Sequence, residues 1–485
     1  MNGWFFLLLF VAYLSFLALI GYLTGKNNDE SGFHKGGKKT AWYIIALGMV
    51  ADSLSGVTFI SIPGNVHQDG FSYMQIALGY FLGYQIIAAI LIPLYFKLNL
   101  TSIYQYLQLR FGILGQKTGS AFFLVSRIIG ASGRLFLAVS IFQYFFLDAL
   151  NVPLEFTVIA IMALMYLYTY KGGIKTLLYT DAIQAIIMLA GLGFSIFSIH
   201  DSLHLSLSDW PEILSKPWWI TQPNDPHFWG KDILAGAFIA LSMTGLDQTM
   251  MQKSLACKQV KDARKNMIWF GFAIVFVNFA FLALGAGLSH FLINKGLTGL
   301  ELKADHIFPY LAFHELGTMA MLAFSLGLIA ASLSSADSVL TTLTTAFCID
   351  FLNTSNPDSP PKNPARLRRN VHLAFAFILW LCILAFDALT NESLIYVILT
   401  LAGYTYGPLL GLFAFGLILP KRNPIPWSIP LISLISVGLT ALFNFVLAPK
   451  WGYSPGFELL PLNGCITFAA LWFSSLLPPL SKKLF

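Results

Sequence analysis

Ser332, Ser334, Ser335, Ser338, Thr341, Thr342, Thr344 and Thr345 crowd around one carboxylate, Asp337, in a stretch (317–349) otherwise apolar and long enough to cross a bilayer. A carboxylate at mid-membrane costs about 2.5–3.5 kcal/mol on insertion scales, so it needs a partner or a task. Ser334, Asp337 and Ser338 share one helical face, because residues three and four apart are neighbours. Hydroxyl, carboxylate and carbonyl oxygens are the ligands that a small hard cation takes. The pattern reads as a dehydrated cation site inside a membrane protein.

Other charges also fall inside apolar stretches: the acids Asp52, Asp181 and Asp247, and the bases Arg127 and Arg134. Asp247 is either a helix-end residue or a functional one. Asp181, after Lys171-Gly172-Gly173-Ile-Lys175, is either a cation ligand or an anchor for a neighbouring helix. Arg134 either neutralises Asp52 or another buried acid, or meets an anionic substrate. Two stretches are interrupted, the second at Ala51-Asp52-Ser53-Leu54-Ser55-Gly56 and the seventh at Ala240-Leu-Ser242-Met243-Thr244-Gly245-Leu-Asp247-Gln248. Broken helices at mid-membrane free carbonyls for a cation and amide ends for an anion, and transporters place them in corresponding positions of two repeats. Gly and Ser equally serve close helix packing.

The elements that must position these residues are all membrane helices. Hydrophobic residues make up 56% of the 485 and charged ones 11%, with a mean hydropathy of +0.70. That excludes an ordinary soluble domain. Thirteen apolar stretches of spanning length occur near 4–24, 41–63, 70–96, 118–147, 153–170, 176–199, 232–252, 266–293, 317–349, 370–390, 394–419, 425–447 and 458–480. The first has no basic residue before it and is too long for a signal-peptide core, so it reads as a retained helix. Lys216, Lys231, Lys295, Lys303 and Lys450 fall on one side; every other Lys or Arg of the 29, apart from Arg127 and Arg134, falls in connections on the opposite side. Lys253 is counted among the latter. Positive residues mark the cytoplasmic side, giving an N-terminus outside and a C-terminus inside. The net charge of +6 is therefore no nucleic-acid signal. Cys257, Cys348, Cys382 and Cys465 are scattered without metal or redox spacing. The outer connection 201–231, with Trp210, Trp218, Trp219 and Trp229, reads as an interfacial aromatic belt, and Asn353–Asn363 as a cytoplasmic linker.

Gly172-Gly173-Ile-Lys-Thr-Leu-Leu-Tyr-Thr180-Asp181-Ala-Ile-Gln184 resembles the GG-x-K/R-(four residues)-TD-x-x-Q segment of the sodium:solute symporter family. This group holds the sodium–glucose, –iodide, –multivitamin, –proline and –sialic acid transporters. Pro93 to Phe111 is similar to the family's connection after the third span. Asp247-Gln248, Gln252-Lys253-Ser-Leu-Ala256-Cys-Lys and Asp262-Ala263 fit the loop after the seventh. The likeness runs from about residue 40 to 420. It implies an all-α fold of thirteen transmembrane helices with a leucine-transporter-type five-plus-five inverted repeat. The first repeat is then 41–200 and the second 232–420, with 1–40 and 421–485 peripheral. It also implies a main sodium site from the carbonyls of Ala51, Leu54 and Ala331 and the hydroxyls of Ser334 and Ser335. A second sodium site in some members falls on Asp181, Asp337 and Ser338; an aspartate at 337 departs from the family's hydroxyl-rich pattern. For solute, the implied positions are Thr58, Tyr80 and Met243, with Ser55 and Gln248 at the two interruptions. The polar residue and aromatic gate of the sugar carriers fall on Ala77 and Met243, which argues against a hexose. Arg134 falls where the sialic acid carriers hold a carboxylate.

The expectation is electrogenic import of a small organic anion, monocarboxylate or sialic-acid-like, driven by sodium through alternating access. Its partners would be the solute, the sodium ion and lipid of the cell's plasma membrane, with no nucleic acid and no obligate protein partner. Proton coupling through Asp52, Asp181 or Asp337 is the nearest alternative, followed by a sugar or amino-acid symporter of the same fold. A sensor on this fold would bind solute without moving it. A membrane enzyme would need a polar reactive cluster, for which His67-Gln68-Asp69 is the compact candidate.

Overall fold

The computed structural model describes residues 3–25, 40–147, 151–223, 225, 227–297, 303–354, 362–389, 394–453 and 455–477. Among them there is no strand. The backbone folds into α1 (Gly3–Gly25), α2 (Trp42–Ser53), α3 (Gly56–Asp69), α4 (Tyr73–Lys97) and α5 (Gln105–Phe142). The helical stretch Leu154–Ser202 follows, divided into α6 (154–172) and α7 (Gly173–Ser202). Then come α8 (Trp229–Gly245), α9 (Gln248–Leu255), α10 (Val260–Asn294), α11 (Ala304–His314) and α12 (Gly317–Phe351). The chain ends with α13 (Pro364–Leu389), α14 (Leu394–Ile418), α15 (Ser428–Lys450) and α16 (Leu459–Ser474). Helix is the expected answer for such a sequence, because lipid offers no partner to a free backbone group.

Eight of these helices are long and apolar enough to cross a membrane; α2 with α3 and α8 with α9 qualify as bent pairs, and three more apolar helices are shorter. Each apolar stretch read from the sequence holds one of them. Phe272 and Phe276 on α10 and Leu434 and Phe445 on α15 project outward, a surface suited to lipid rather than water. The linker around 355–361 and the basic segment 26–39 lie outside the described residues.

Three local features set the frame. Gly173, with φ +55°, turns α6 into α7 in a backbone conformation that a Cβ would strain, which accounts for the glycine at 173. α7 and α12 then approach so closely that a Cβ on Gly191 would stand 3.2 Å from the Cα of Gly327, the small-residue packing expected in membranes. Both interrupted stretches do break: α2 and α3 meet at 63° and α8 and α9 at 64°.

The connection 203–228 folds back over helix ends. Phe71 N–H donates to the Pro217 carbonyl (2.8 Å), and Trp218 packs on Phe71 and Phe279. Trp218 thus stacks on aromatic neighbours at a helix end, and Trp219 and Trp229 remain partly exposed. Near it His227 Nδ1 stands 3.6 Å from Asp232 Oδ2 on the rim of a hollow lined also by Asn65, Asp69 and Tyr73. The Asp232 carboxylate beside it raises the His227 pKa from its ordinary 6.5. A raised folded value means the tie contributes fully below 6.5 and is lost as pH climbs through the raised value. The unfolding midpoint should therefore fall with pH in that window, and Asp232→Asn should flatten the fall. Identical profiles for the two proteins would show that the pair carries no stability.

Candidate functional site

At the first break, Leu54 N–H closes the last turn of α2 onto the Val50 carbonyl (2.9 Å), and α3 begins with Phe59 N–H on the Ser55 carbonyl (3.0 Å). The carbonyls of Ala51 and Leu54 fall between the two hydrogen-bond ladders. α12 packs against both halves of this broken helix, with the Phe59 ring of α3 seated on Gly327. On α12, Ser335 is buried and its hydroxyl turns back toward its own helix, donating to the Ser332 carbonyl at 3.2 Å and, more weakly, to that of Ala331 at 3.4 Å. Ser334 points to α7 instead.

Beside the break lies a cavity of about 790 Å³, its open mouth included. Ser55, Thr58, Tyr80, Arg134 and Met243 all line it, so five of the six solute positions come together. Asp52, Ser53, Tyr73, Tyr84, Arg127, Thr244 and Asn278 also belong to its polar wall; Val57, Ile239 and Ile274 are apolar. The Tyr73 and Tyr80 hydroxyls are 3.2 Å apart. Among the described residues no carboxylate forms an ion pair with Arg134.

Gln248, the sixth, is elsewhere. It is fully buried, its amide oxygen accepts from Ile103 N–H (2.9 Å) and its amide nitrogen donates to the Thr101 carbonyl (2.9 Å). It bonds the connection before α5 and does not line the cavity.

The other buried charges pair differently from the sequence-based alternatives. Lys253, placed in a cytoplasmic connection by charge counting, is in fact wholly buried on α9. Its ammonium donates to Asp181 Oδ2 at 2.6 Å and to Asp52 Oδ2 at 3.0 Å. Asp181 also accepts from the Ser334 hydroxyl (Oδ1, 3.1 Å) and the Ser338 hydroxyl (Oδ2, 3.2 Å). One ammonium and two serines thus join α2, α7, α9 and α12. Asp52 is met by Lys253, which leaves Arg134 for the cavity. Asp337 is buried on α12, on the side that faces Tyr13.

At the second break Asp247 is both helix cap and counter-ion. One of its oxygens accepts from Thr249 N–H (2.9 Å) and Met250 N–H (3.2 Å), capping α9. The other takes the Arg127 guanidinium and the Tyr406 hydroxyl (2.6 Å). The carbonyls freed at this break are occupied: Tyr95 donates to that of Gly245 (2.9 Å) and Tyr104 to that of Leu246 (3.0 Å). Among the described residues no tyrosine bonds the carbonyls of the first break, so the two breaks are alike in angle and unlike in chemistry.

Sequence reasoning missed Lys253, Tyr95, Tyr104 and Tyr406. It also missed Asp350, buried and satisfied by Ser102 (2.8 Å), Ser120 (2.9 Å) and Gln116 (2.8 Å). The signal for Lys253 was present, because Gln252-Lys253 belongs to the segment that carries the resemblance. His67, the candidate for an enzyme, is hydrogen-bonded to Ser289 (3.0 Å).

Residues 33–424 match the profile described as "SSF: Sodium:solute symporter family". Sodium-coupled monocarboxylate transporter 1 of Xenopus laevis is 25% identical, over 97% of this chain and 77% of that protein. The sodium/sialic acid symporter NanT of Aliivibrio fischeri is 23% identical, over 85% of this chain and 82% of the relative. In fold, the chain superposes on a solved Na+-coupled sialic acid symporter in a substrate-bound, outward-open state. The TM-score is 0.83, with 97% of each chain covered and 20% identity. A nucleobase-cation-symport-1 family transporter follows at a TM-score of 0.62, with 15% identity over 94% of this chain and 97% of that one. With the profile spanning most of its length, the chain belongs to the sodium:solute symporter family and is a multi-pass membrane transporter, not an enzyme.

Proposed function

We propose that the protein imports a small organic anion together with sodium by alternating access. The observation that carries the anion is the state of its buried cations. Arg127 is paired with Asp247, and Lys253 with Asp52 and Asp181, whereas Arg134 faces the cavity at the first break without a carboxylate partner among the described residues. A guanidinium that forms no ion pair and lines a cavity can receive an anion, and its planar fork suits a carboxylate. The Tyr73–Tyr80 pair, Thr58 and Asn278 supply neutral hydrogen-bond partners for the solute's body. Relatives named for monocarboxylates and for sialic acid both carry carboxylates, which supports the same reading.

The sodium belongs at the break, held by the carbonyls of Ala51, Leu54 and Ala331 and the hydroxyls of Ser334 and Ser335. All are neutral oxygens, a donor set for a hard monovalent cation. Its position would tie the hinge of α2 and α3 to α12 and order the cavity, so each ligand would raise the other's affinity by one factor. The scaffold for this cycle is thirteen crossings, N-terminus outside and C-terminus inside. Helices within 41–200 and 232–420 form two inverted repeats; 1–40 and 421–485 are peripheral, and 201–231 lies outside. The bends at 63° and 64°, one in each half, support the repeat.

Two variants test the reading. Ser335→Ala removes one oxygen ligand from a bare cation, about 1.5–3 kcal/mol, and should weaken 22Na+ binding by about tenfold or more; unchanged sodium affinity would remove Ser335 from the site. Arg134→Met should abolish the rise in unfolding midpoint given by saturating pyruvate, lactate or sialic acid, whichever stabilises the parent protein, and keep the rise given by sodium. Anion stabilisation surviving in Arg134→Met would place the anion elsewhere.

A further inference from the structure

We infer that His227 and Asp232 set the charge of the solute's entry path, so that a proton on His227 admits the organic anion and loss of that proton hinders it. The inference rests on the anion-import reading above. The hollow beside the pair, about 420 Å³ with its open mouth, continues the solute cavity toward the outer helix ends. Each of four helices carries one face across both. On α10, Ile274 and Asn278 line the cavity and Leu282, one turn on, the hollow. On α3, Thr58 lines the cavity, with Ile62 one turn and Asp69 three turns further, in the hollow. On α8, Met243 lines the cavity and Asp232, three turns away, the hollow. On α4, Tyr73 lines both. It is the shared wall, its hydroxyl 3.2 Å from that of Tyr80.

The wall of this hollow carries two carboxylates, Asp69 and Asp232, and one imidazole, and among the described residues no Lys or Arg lines it. Asp232 is buried, and its Oδ2 has no hydrogen-bond partner; His227 Nδ1 stands 3.6 Å away. The His227 side chain is 27% exposed, so it exchanges protons with the solution. Facing it are Asp225 from its own connection, Asp69 from α3 and Asp232 from α8; α4 brings Tyr73, and α10 the apolar Leu282. α16 brings Phe457, and Glu458 beside Asp232 accepts from the Tyr453 hydroxyl. Lys231 is turned to the Asp225 carbonyl and the Tyr453 ring. With its proton, His227 offsets Asp232. Without it, an anion bound for Arg134 passes a wall whose charges are negative. Like charge on an entry path slows association, and salt relieves the effect. Because Asp232 raises the His227 pKa, the change falls in the window above the ordinary 6.5.

Uptake of radiolabelled pyruvate, lactate or sialic acid, whichever stabilises the parent, into proteoliposomes of the full-length protein tests this. Sodium is kept at the lowest saturating level, internal pH is fixed, and external pH is raised through the window above 6.5. In the parent, kcat/KM should fall by roughly tenfold, with kcat steady and the fall shrinking as choline chloride is added. These acids stay ionised throughout, so their own titration adds nothing. His227→Gln should give the low value at every pH. His227→Lys, which keeps the charge, should give the high one, and Asp232→Asn should shrink the fall. A parent profile without the fall, Gln and Lys variants that agree, or a fall indifferent to salt overturns the inference and leaves Arg134-dependent uptake standing. A parent that takes up no carboxylate at any pH removes the import reading, and this inference with it.

Discussion

The Lys253 ammonium, sealed between Asp52 and Asp181, is the interaction on which the rest of the core depends. Three charges out of water are expensive, and a buried pair stripped of one partner loses about 3–5 kcal/mol. The geometry meets that demand by drawing residues from four helices to one point. Asp52 is the residue just before the break in α2, so the triad fixes where the helix opens. Asp181 holds Ser334 and Ser338, so the same triad sets the rotation of α12. The first hinge and the serine face opposite it are thereby registered to each other.

The second constraint is the contrast between the two breaks. Tyrosines 95 and 104 fill the carbonyls exposed at the second, and Asp247 caps the helix beyond it while holding Arg127 and Tyr406. That break is a finished structural joint. The first break has carbonyls between its ladders and a cavity at its side, where the Arg134 guanidinium forms no ion pair among the described residues. The proposed site lies at the break that is not closed by such bonds, in keeping with the cost of unsatisfied charge inside a membrane.

Much of this was legible in the sequence. Helix-only architecture, the position of each apolar stretch and both interruptions follow from hydropathy and from polar runs at 51–56 and 240–248. Five of the six residues expected to face solute line one cavity, because position along neighbouring broken helices largely fixes what faces the break. The burial of Lys253, and the position of Gln248 away from the cavity, were hidden for one physical reason. A short helix after a break, such as Gln248–Leu255, can be entirely buried while its composition looks like a loop. Counting charges by distance from apolar stretches assigns such residues to water. Partner choice was equally hidden: whether Arg134 or Lys253 meets Asp52 depends on contacts between helices 201 residues apart for the latter pair, which no local pattern encodes.

The central claim is that sodium at the first break and an organic anion at Arg134 are thermodynamically one event. Equilibrium binding of the best carboxylate, measured in sodium and in choline at equal ionic strength, and of 22Na+ with and without that carboxylate, tests it most directly. The account predicts that sodium raises the anion's affinity and that the anion raises sodium's by the same factor. Anion binding that is indifferent to sodium, with sodium binding indifferent to the anion, would contradict it.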